Sequence, residues 1–344
     1  MIYHDETELK NICINFVGNQ THHEALVTSE QQAEINDDMR ELLKNYFLKP
    51  FKTDIFFEFY DDLKLSNNEV YNAVQEIFTN PDLIQNHSAK LAKLLFEAST
   101  NPRTKGGEFY ICYFSGVILK GESLDAIGFF KSENKDTFLQ ISPKNENFDL
   151  ETAKGINLNK LDKGCIIFNT DEENGYTLSI VDGTSKAETS YWMDDFLQIQ
   201  QKKDDYFDAQ ETLNIYKDFI TKKLPEEFEI TKVDQAEFLN NTMDFFKEKK
   251  NFDYEEFTTN VLKDPSVIES FGNFKSDYEQ DMQVSVSEDF VINNAAVKKQ
   301  TSSYKSVIKL DKNFHIYVHG NRNLIQQGSD ENGKFYQLYF EKEN

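Results

Sequence analysis

Phe109-Tyr110-Ile111-Cys112-Tyr113-Phe114-Ser115-Gly116-Val117-Ile118-Leu119 is the stretch on which the fold turns. Aromatic and β-branched residues follow one another there without helical spacing, and that pattern predicts a strand. Downstream, similar runs at 125–131, 137–142, 164–169 and 176–182 are separated by turn residues, with Glu173-Asn174-Gly175 as a hairpin signal. Upstream the period is helical. Ser29-Glu30-Gln31-Gln32 has the form of a capping box, followed by Ile35, Met39, Leu42, Leu43, Tyr46 and Phe47 before Pro50. Ser66-x-x-Glu69 opens a second helix, and Asn80-Pro81 caps a third that runs through Leu91 and Leu95. Helices followed by an antiparallel meander make an α+β domain.

After residue 203 the helical period returns. Asp208-x-x-Glu211, Asp234-x-x-Glu237, Asp253-x-x-Glu256 and Asp264-Pro265 each read as a helix start. Strand patterns come back at 305–310, 314–319 and 335–340. The expected organisation is therefore an α+β domain over 1–203 and, over 204–344, a helical segment ending in a small antiparallel sheet. The polar run Gln200-Gln201-Lys202-Lys203-Asp204-Asp205 marks the soft boundary.

Composition bounds the function. The 344 residues include 46 Phe and Tyr, which need burial, so wholesale disorder is excluded. No apolar run reaches the roughly 20 residues of a membrane span, and no secretory signal is visible at the N-terminus. Cys13, Cys112 and Cys165 are far apart in apolar runs and read as reduced thiols of a cytoplasmic protein. The net charge of −23 argues against a protein that coats nucleic acid with its whole surface. Its distribution is uneven. Residues 1–290 carry −26, whereas 291–322 carry +5 from Lys298, Lys299, Lys305, Lys309, Lys312 and Arg322 against Asp311. With only three arginines in the chain, this island favours phosphate contacts over base reading. The strand from Phe314 to His319 puts Phe314, Ile316 and Val318 on a core face and His315, Tyr317 and His319 on the other. That second face reads as a wet surface, a nucleic-acid platform beside the lysines, or part of a metal site.

Candidate chemistry is sparse. Asp125, Glu133 and Lys135 match the acid, acid and lysine of metal-dependent nucleases, although Ser132–Asp136 also reads as an ordinary turn. The doublet Asp194-Asp195 is a poor chelator, because helical neighbours point about 100° apart. Asn169, Asp171, Glu173 and Gly175 mimic a calcium loop without its terminal glutamate. Lys105-Gly106-Gly107-Glu108-Phe109 resembles the nucleotide-cyclase signature but lacks its second acid, and reads as a glycine hinge. No phosphate loop, dinucleotide fingerprint or nucleophile elbow is present. No cofactor and no catalytic residue is expected.

Several stretches together carry a resemblance. They are Pro102–Tyr110, Asp162–Asn169, Tyr191–Leu197 and Ser306–Tyr317, with Ile14–Asn19 and Asn45–Phe51. In order and number they resemble the bacterial nucleoid-associated proteins of the NdpA type. The resemblance implies a cytoplasmic protein of the nucleoid, associated with double-stranded DNA and without enzymatic activity. It brings no DNA-contact residues with it. The expected contacts therefore come from charge: Lys298, Lys299, Lys305, Lys309, Lys312 and Arg322, with His315 and His319 beside them. Weak, sequence-independent DNA binding is the leading expectation. An acidic module recruited by a basic nucleoid protein and a metal-dependent nuclease are the alternatives, and a homodimer fits any of them.

Overall fold

The computed structural model describes residues 2–145, 147–183, 190–304, 307–310, 313–317 and 324–342, with Lys309 described in its backbone alone. The chain divides into two compact units, Met1–Lys202 and Lys203–Asn344. The class is α+β, with antiparallel sheets.

The first unit is built on one sheet. Its strands are β1 (Ile2–Tyr3), β2 (Glu8–Val17), β3 (Leu26–Val27), β4 (Phe57–Phe59), β5 (Gly107–Leu119), β6 (Glu122–Ser132), β9 (Lys163–Phe168), β10 (Thr177–Asp182) and β11 (Ile199–Gln201). They run antiparallel in the order β11-β4-β10-β9-β6-β5-β2-β3, with β1 on the far end of β5. Between β6 and β9 the chain makes an excursion, β7 (Lys135–Lys144) and β8 (Asn147–Ile156), which among the described residues pair only with each other.

Both faces of the sheet are covered. On one, α2 (Glu69–Thr79), α3 (Ile84–Ala98) and a π-helical turn (Tyr191–Leu197) place Val74, Leu91, Trp192 and Phe196 against Phe109, Ile111, Phe129 and Ile167. On the other, α1 (Asp37–Leu48) and the residues after it place Phe47 and Phe51 against Tyr110, Phe114, Phe130 and Ile166. A strand covered on both faces is apolar at successive positions, and this is why 109–114, 127–130 and 165–168 show no alternation. Each such side chain contributes roughly 1.5–3 kcal/mol by leaving water. The meander expected from the sequence is present as β5, β6, β9 and β10. The run at 137–142 is the exception. Its partner β8 gives the ribbon one polar face, so it cannot join a sheet buried on both sides.

Strands β1, β2, β3, β4, β8 and β11 of the first unit were absent from the expected set, β2 and β8 being the long ones. Helix starts also move. Residues after Ser29 do not continue as a helix: the Ser29 N–H donates to Asn15, its carbonyl accepts from Gln85, and the Ala33 N–H donates to Ile12. These bonds hold an extended strap, and α1 starts later with Asn36 as its cap. Asn68, not Ser66, caps α2, accepting from the N–H groups of Val70 and Tyr71 while its own amide donates to the Leu197 carbonyl. The glycine pair is not a hinge either. A Cβ on Gly107 would fall on the Ser132 carbonyl, so close backbone approach requires glycine there, whereas one on Gly106 would meet the movable end of the Glu24 side chain and lie 3.1 Å from the Gly18 Cα. The Asp171 turn is an acidic hairpin turn, with Asp171 paired to Lys202 and Gly175 at φ +93°. Cys13, Cys112 and Cys165 are buried and free.

In the second unit, α4 (Asp205–Asp218) begins at the cap Asp204, four residues ahead of the expected Asp208. It winds on through a π-helical turn, Phe219–Lys223. Thr231 and Asp234 cap α5 (Lys232–Glu248) reciprocally, so Asp234 is the third helical residue and not the cap. Asp253 caps α6 (Tyr254–Val261) and Asp264 caps α7 (Pro265–Asp281), as their spacing predicts. Strands β12 (Asn251–Asp253) and β13 (Asp289–Val291) pair, stacking Phe252 on Phe290 at 4.6 Å within a core of aromatic rings. The last part holds α8 (Asn294–Gln300) and two hairpins, β14 (Val307–Leu310) with β15 (Phe314–Tyr317) and β16 (Ile325–Asp330) with β17 (Gly333–Leu338).

Candidate functional site

Three of the stretches that carry the resemblance, Pro102–Tyr110, Asp162–Asn169 and Tyr191–Leu197, meet at one place in the first unit, the corner where β6 leaves the sheet. Lys131 and Lys163 are register partners on β6 and β9, and both are 0% exposed. The Lys131 ammonium lies 3.2 Å from the Glu133 carboxylate and donates to the Lys105 carbonyl at 2.9 Å. The Lys163 ammonium donates to both carboxylate oxygens of Asp182, at 2.8 and 2.7 Å. Between them stands the Tyr191 ring, 5.1 Å from one ammonium and 5.3 Å from the other, with its hydroxyl donating to Glu133. Asp162 closes the corner. It accepts from the N–H groups of Glu133 and Asn134 and from the Asn134 amide, at 2.8, 2.9 and 2.8 Å.

The electrostatics follow from burial. Desolvation holds Lys131 below the usual lysine range, opposed by Glu133, and pushes the Tyr191 phenol well above its usual value. Buried charges of this kind persist only when paired and hydrogen-bonded, and here the two lysines face Glu133 and Asp182. Both lysines are therefore paired, Asp162 leaves the corner one negative charge in excess, and neither ammonium is free to meet an incoming phosphate. Its signal in the sequence was a lysine at the end of an apolar strand run, twice: Phe129-Phe130-Lys131 and Lys163-Gly164-Cys165-Ile166.

The nuclease set is not brought together. Asp125 accepts from the Tyr113 hydroxyl near the start of β6, and Glu133 lies eight residues on, roughly 26 Å along an extended strand. Glu133 is engaged by Lys131 and Tyr191, and Lys135 pairs with Glu108 at 2.5 Å. Among the described residues no three His, Cys, Asp or Glu gather to hold a metal ion.

Of the basic island, Lys298 and Lys299 stand in the last turn of α8, exposed, while Ala296 and Val297 on the same helix are buried. The packing is anchored by Gln300, which donates to Asn214, and by Tyr304, which donates to the Leu213 carbonyl. Neither lysine has a carboxylate partner among the described residues. In β14–β15 the backbone register sets Lys309 opposite His315, and His315 and Tyr317 are exposed. The other face is only partly core: Ile308 is buried and Ile316 half-buried, but Phe314, opposite Leu310 at the turn end of the hairpin, is 65% exposed. Lys305, Lys312, His319 and Arg322 lie outside the described residues.

A third feature is an open cleft of about 550 Å³ between α2, α3 and the π-helical turn, lined by Glu69, Glu97, Asp194 and Asp195. Both members of the Asp194-Asp195 doublet reach it. Burial and the Asp194 charge push the Asp195 carboxyl upward.

An antiparallel sheet covered on both faces, a buried ion cluster at its corner and a lysine-bearing C-terminal segment define an α+β protein without a recognisable catalytic centre among the described residues. The family of the nucleoid-associated protein YejK matches residues 16–333, and the chain belongs to that family. No curated protein matches the sequence. Among the described residues no helix is long and apolar enough to cross a membrane.

Proposed function

We propose that this protein works at the nucleoid without catalysing a reaction, by weak, sequence-independent contact with the phosphates of double-stranded DNA through its C-terminal basic island. The supporting observation is the state of Lys298 and Lys299. In a chain of net charge −23 they stand exposed and, among the described residues, without a carboxylate partner, whereas lysines such as Lys44, Lys202 and Lys275 are paired. Lysines at the end of a helix also complement its terminal carbonyls, a role compatible with phosphate contact.

Fluorescence anisotropy of a labelled duplex titrated with the full chain tests this. Neutralising about four to six phosphates gives a slope of log affinity against log salt of about −4 to −5. The triple substitution Lys298→Glu, Lys299→Glu, Lys305→Glu removes the binding; unchanged affinity in that variant overturns the assignment. The acidic cleft favours a second reading, in which a basic nucleoid protein docks on Asp194 and Asp195 and carries the chain to DNA. Its mark is no DNA binding in isolation, together with salt-sensitive capture of a basic nucleoid protein that Asp194→Lys, Asp195→Lys abolishes.

A further inference from the structure

The β7–β8 ribbon has an apolar face that no described residue covers. Its two ten-residue strands pair from Lys135↔Ile156 to Lys144↔Asn147 and bond to no other strand among the described residues. The register assigns the faces. Cross-strand pairs Asp136↔Gly155, Phe138↔Ala153, Gln140↔Glu151, Ser142↔Asp149 and Lys144↔Asn147 make one side. That side is polar, and its single large apolar group, Phe138, lies over Gly155 where a Cβ would otherwise sit. The pairs Leu139↔Thr152, Ile141↔Leu150 and Pro143↔Phe148 make the other. On it Leu139 is 57% exposed, Ile141 59%, Phe148 60% and Leu150 64%. An isolated two-stranded hairpin is marginal in water, and a contiguous apolar face of this kind marks an interaction surface.

We infer that this face is a dimerisation arm, covered by the same face of a second copy of the chain. Two arguments select that occupant. The first is charge. The whole chain carries −23, so two copies repel over most of their surface. The ribbon is nearly neutral, with Lys135, Lys144 and Lys154 against Asp136, Glu146, Asp149 and Glu151. On the apolar face the charged residues are Lys135 and Lys154, both at the base. When two ribbons pack face to face and antiparallel about a two-fold axis, these lysines fall at opposite ends and the apolar centres meet. DNA would need cations along the face, and an anionic membrane surface would repel the chain.

The second argument is area. A ten-residue ribbon is about 33 Å long and its two strands make a face about 10 Å wide, roughly 700 Å² of flat area for two faces before the relief of the side chains is added. Two such faces in contact remove on the order of 1,000 Å² from water, the lower edge of what a specific interface requires. The base of the arm is held to receive the load: Asp162 fixes Glu133 and Asn134, and Asn157 donates to Asp136 at 2.8 Å. The inference is independent of the DNA reading.

Sedimentation velocity and light scattering of the full chain over a concentration range test it. The expected mass is twice 40.1 kDa. Substituting Ile141→Lys with Leu150→Lys, on an exposed hairpin away from both cores, raises the dimer dissociation constant at least ~100-fold while the far-UV and near-UV circular dichroism stay native; the thermal midpoint loses its dependence on protein concentration. A second measurement reads the face directly. Ile141→Cys, near the two-fold axis, forms a covalent dimer on mild oxidation, while Ser142→Cys on the opposite face does not. A wild-type chain that stays monomeric at every concentration overturns the inference. So does a dimer that the lysine pair leaves intact and that Ile141→Cys fails to cross-link.

Discussion

At the residue scale, the buried corner shows how one carboxylate organises several elements. Asp162 takes three hydrogen bonds from Glu133 and Asn134, the residues at which β6 turns out of the sheet. Bonds to a charged acceptor are worth about 1.5–3 kcal/mol each when buried, and leaving the donors unpaired adds a desolvation cost. Asp162→Ala is expected to lower stability by roughly 2–4 kcal/mol, read from urea unfolding followed by the fluorescence of Trp192, the single, fully buried tryptophan. Asp162→Asn keeps a carbonyl acceptor for the two backbone N–H groups and should lose less than half of that. Equal losses in the two variants would show that the charge matters and the hydrogen bonds do not. The cysteines make a simpler case. Burial pushes the Cys13 thiol up to about 11 and those of Cys112 and Cys165 well above the usual range. Thiolate is the reactive form, so a thiol reagent at neutral pH should label none of the three in the native protein and all three in denaturant.

At the scale of elements, helix starts depend on which polar side chain the tertiary structure engages. Asn68 both caps α2 and donates to the Leu197 carbonyl, while Ser66 does neither. Asn68→Ala should cost about 2 kcal/mol and Ser66→Ala less than about 0.5, measured as shifts in urea midpoint at unchanged slope; the reverse order would restore Ser66 as the cap. This case also explains what could be read from the sequence. Strands β5, β6, β9 and β10 were legible because strands buried on both sides are apolar throughout. Strand β2 was not, because Asn11 and Asn15 interrupt its apolar pattern. Those asparagines are accommodated by Gln32 and Ser88, partners remote in sequence. The C-terminal lysines were legible as charge. The Lys131, Lys163 and Tyr191 cluster was not, because a lysine on a strand reads as a solvated charge until the layers covering it are known. Glu133 illustrates the same limit: its spacing to Asp125 and Lys135 suggested metal chemistry, yet its partners are the lysine two residues back and a tyrosine from the π-helical turn.

At the scale of the whole molecule, the many buried tyrosines tie stability to alkaline pH. Burial pushes the phenols of Tyr110, Tyr113, Tyr176, Tyr191, Tyr216 and Tyr304 upward, each to beyond the range in which an unfolded chain would lose its proton. Above about pH 10 the native state therefore holds protons that the unfolded state has released. Stability is then complete below pH 10 and falls as pH rises further. Lys131 works in the opposite sense, since its native value is depressed and its contribution rises with pH below about 10.5, but it is one group against six. The acidic net charge grows more negative over the same range and adds repulsion. Tyrosinate absorbance should accordingly rise in two phases. The first belongs to phenols in contact with water, which lose their protons over the ordinary tyrosine range. The buried set follows in a cooperative step that coincides with the change in Trp192 fluorescence. Added salt, by screening the acidic surface, should move that second step to higher pH and leave the first almost in place. A single broad tyrosine titration near pH 10, finished before Trp192 responds, would mean that the phenols are accessible in the native state and that the aromatic cores do not hold them as packed here.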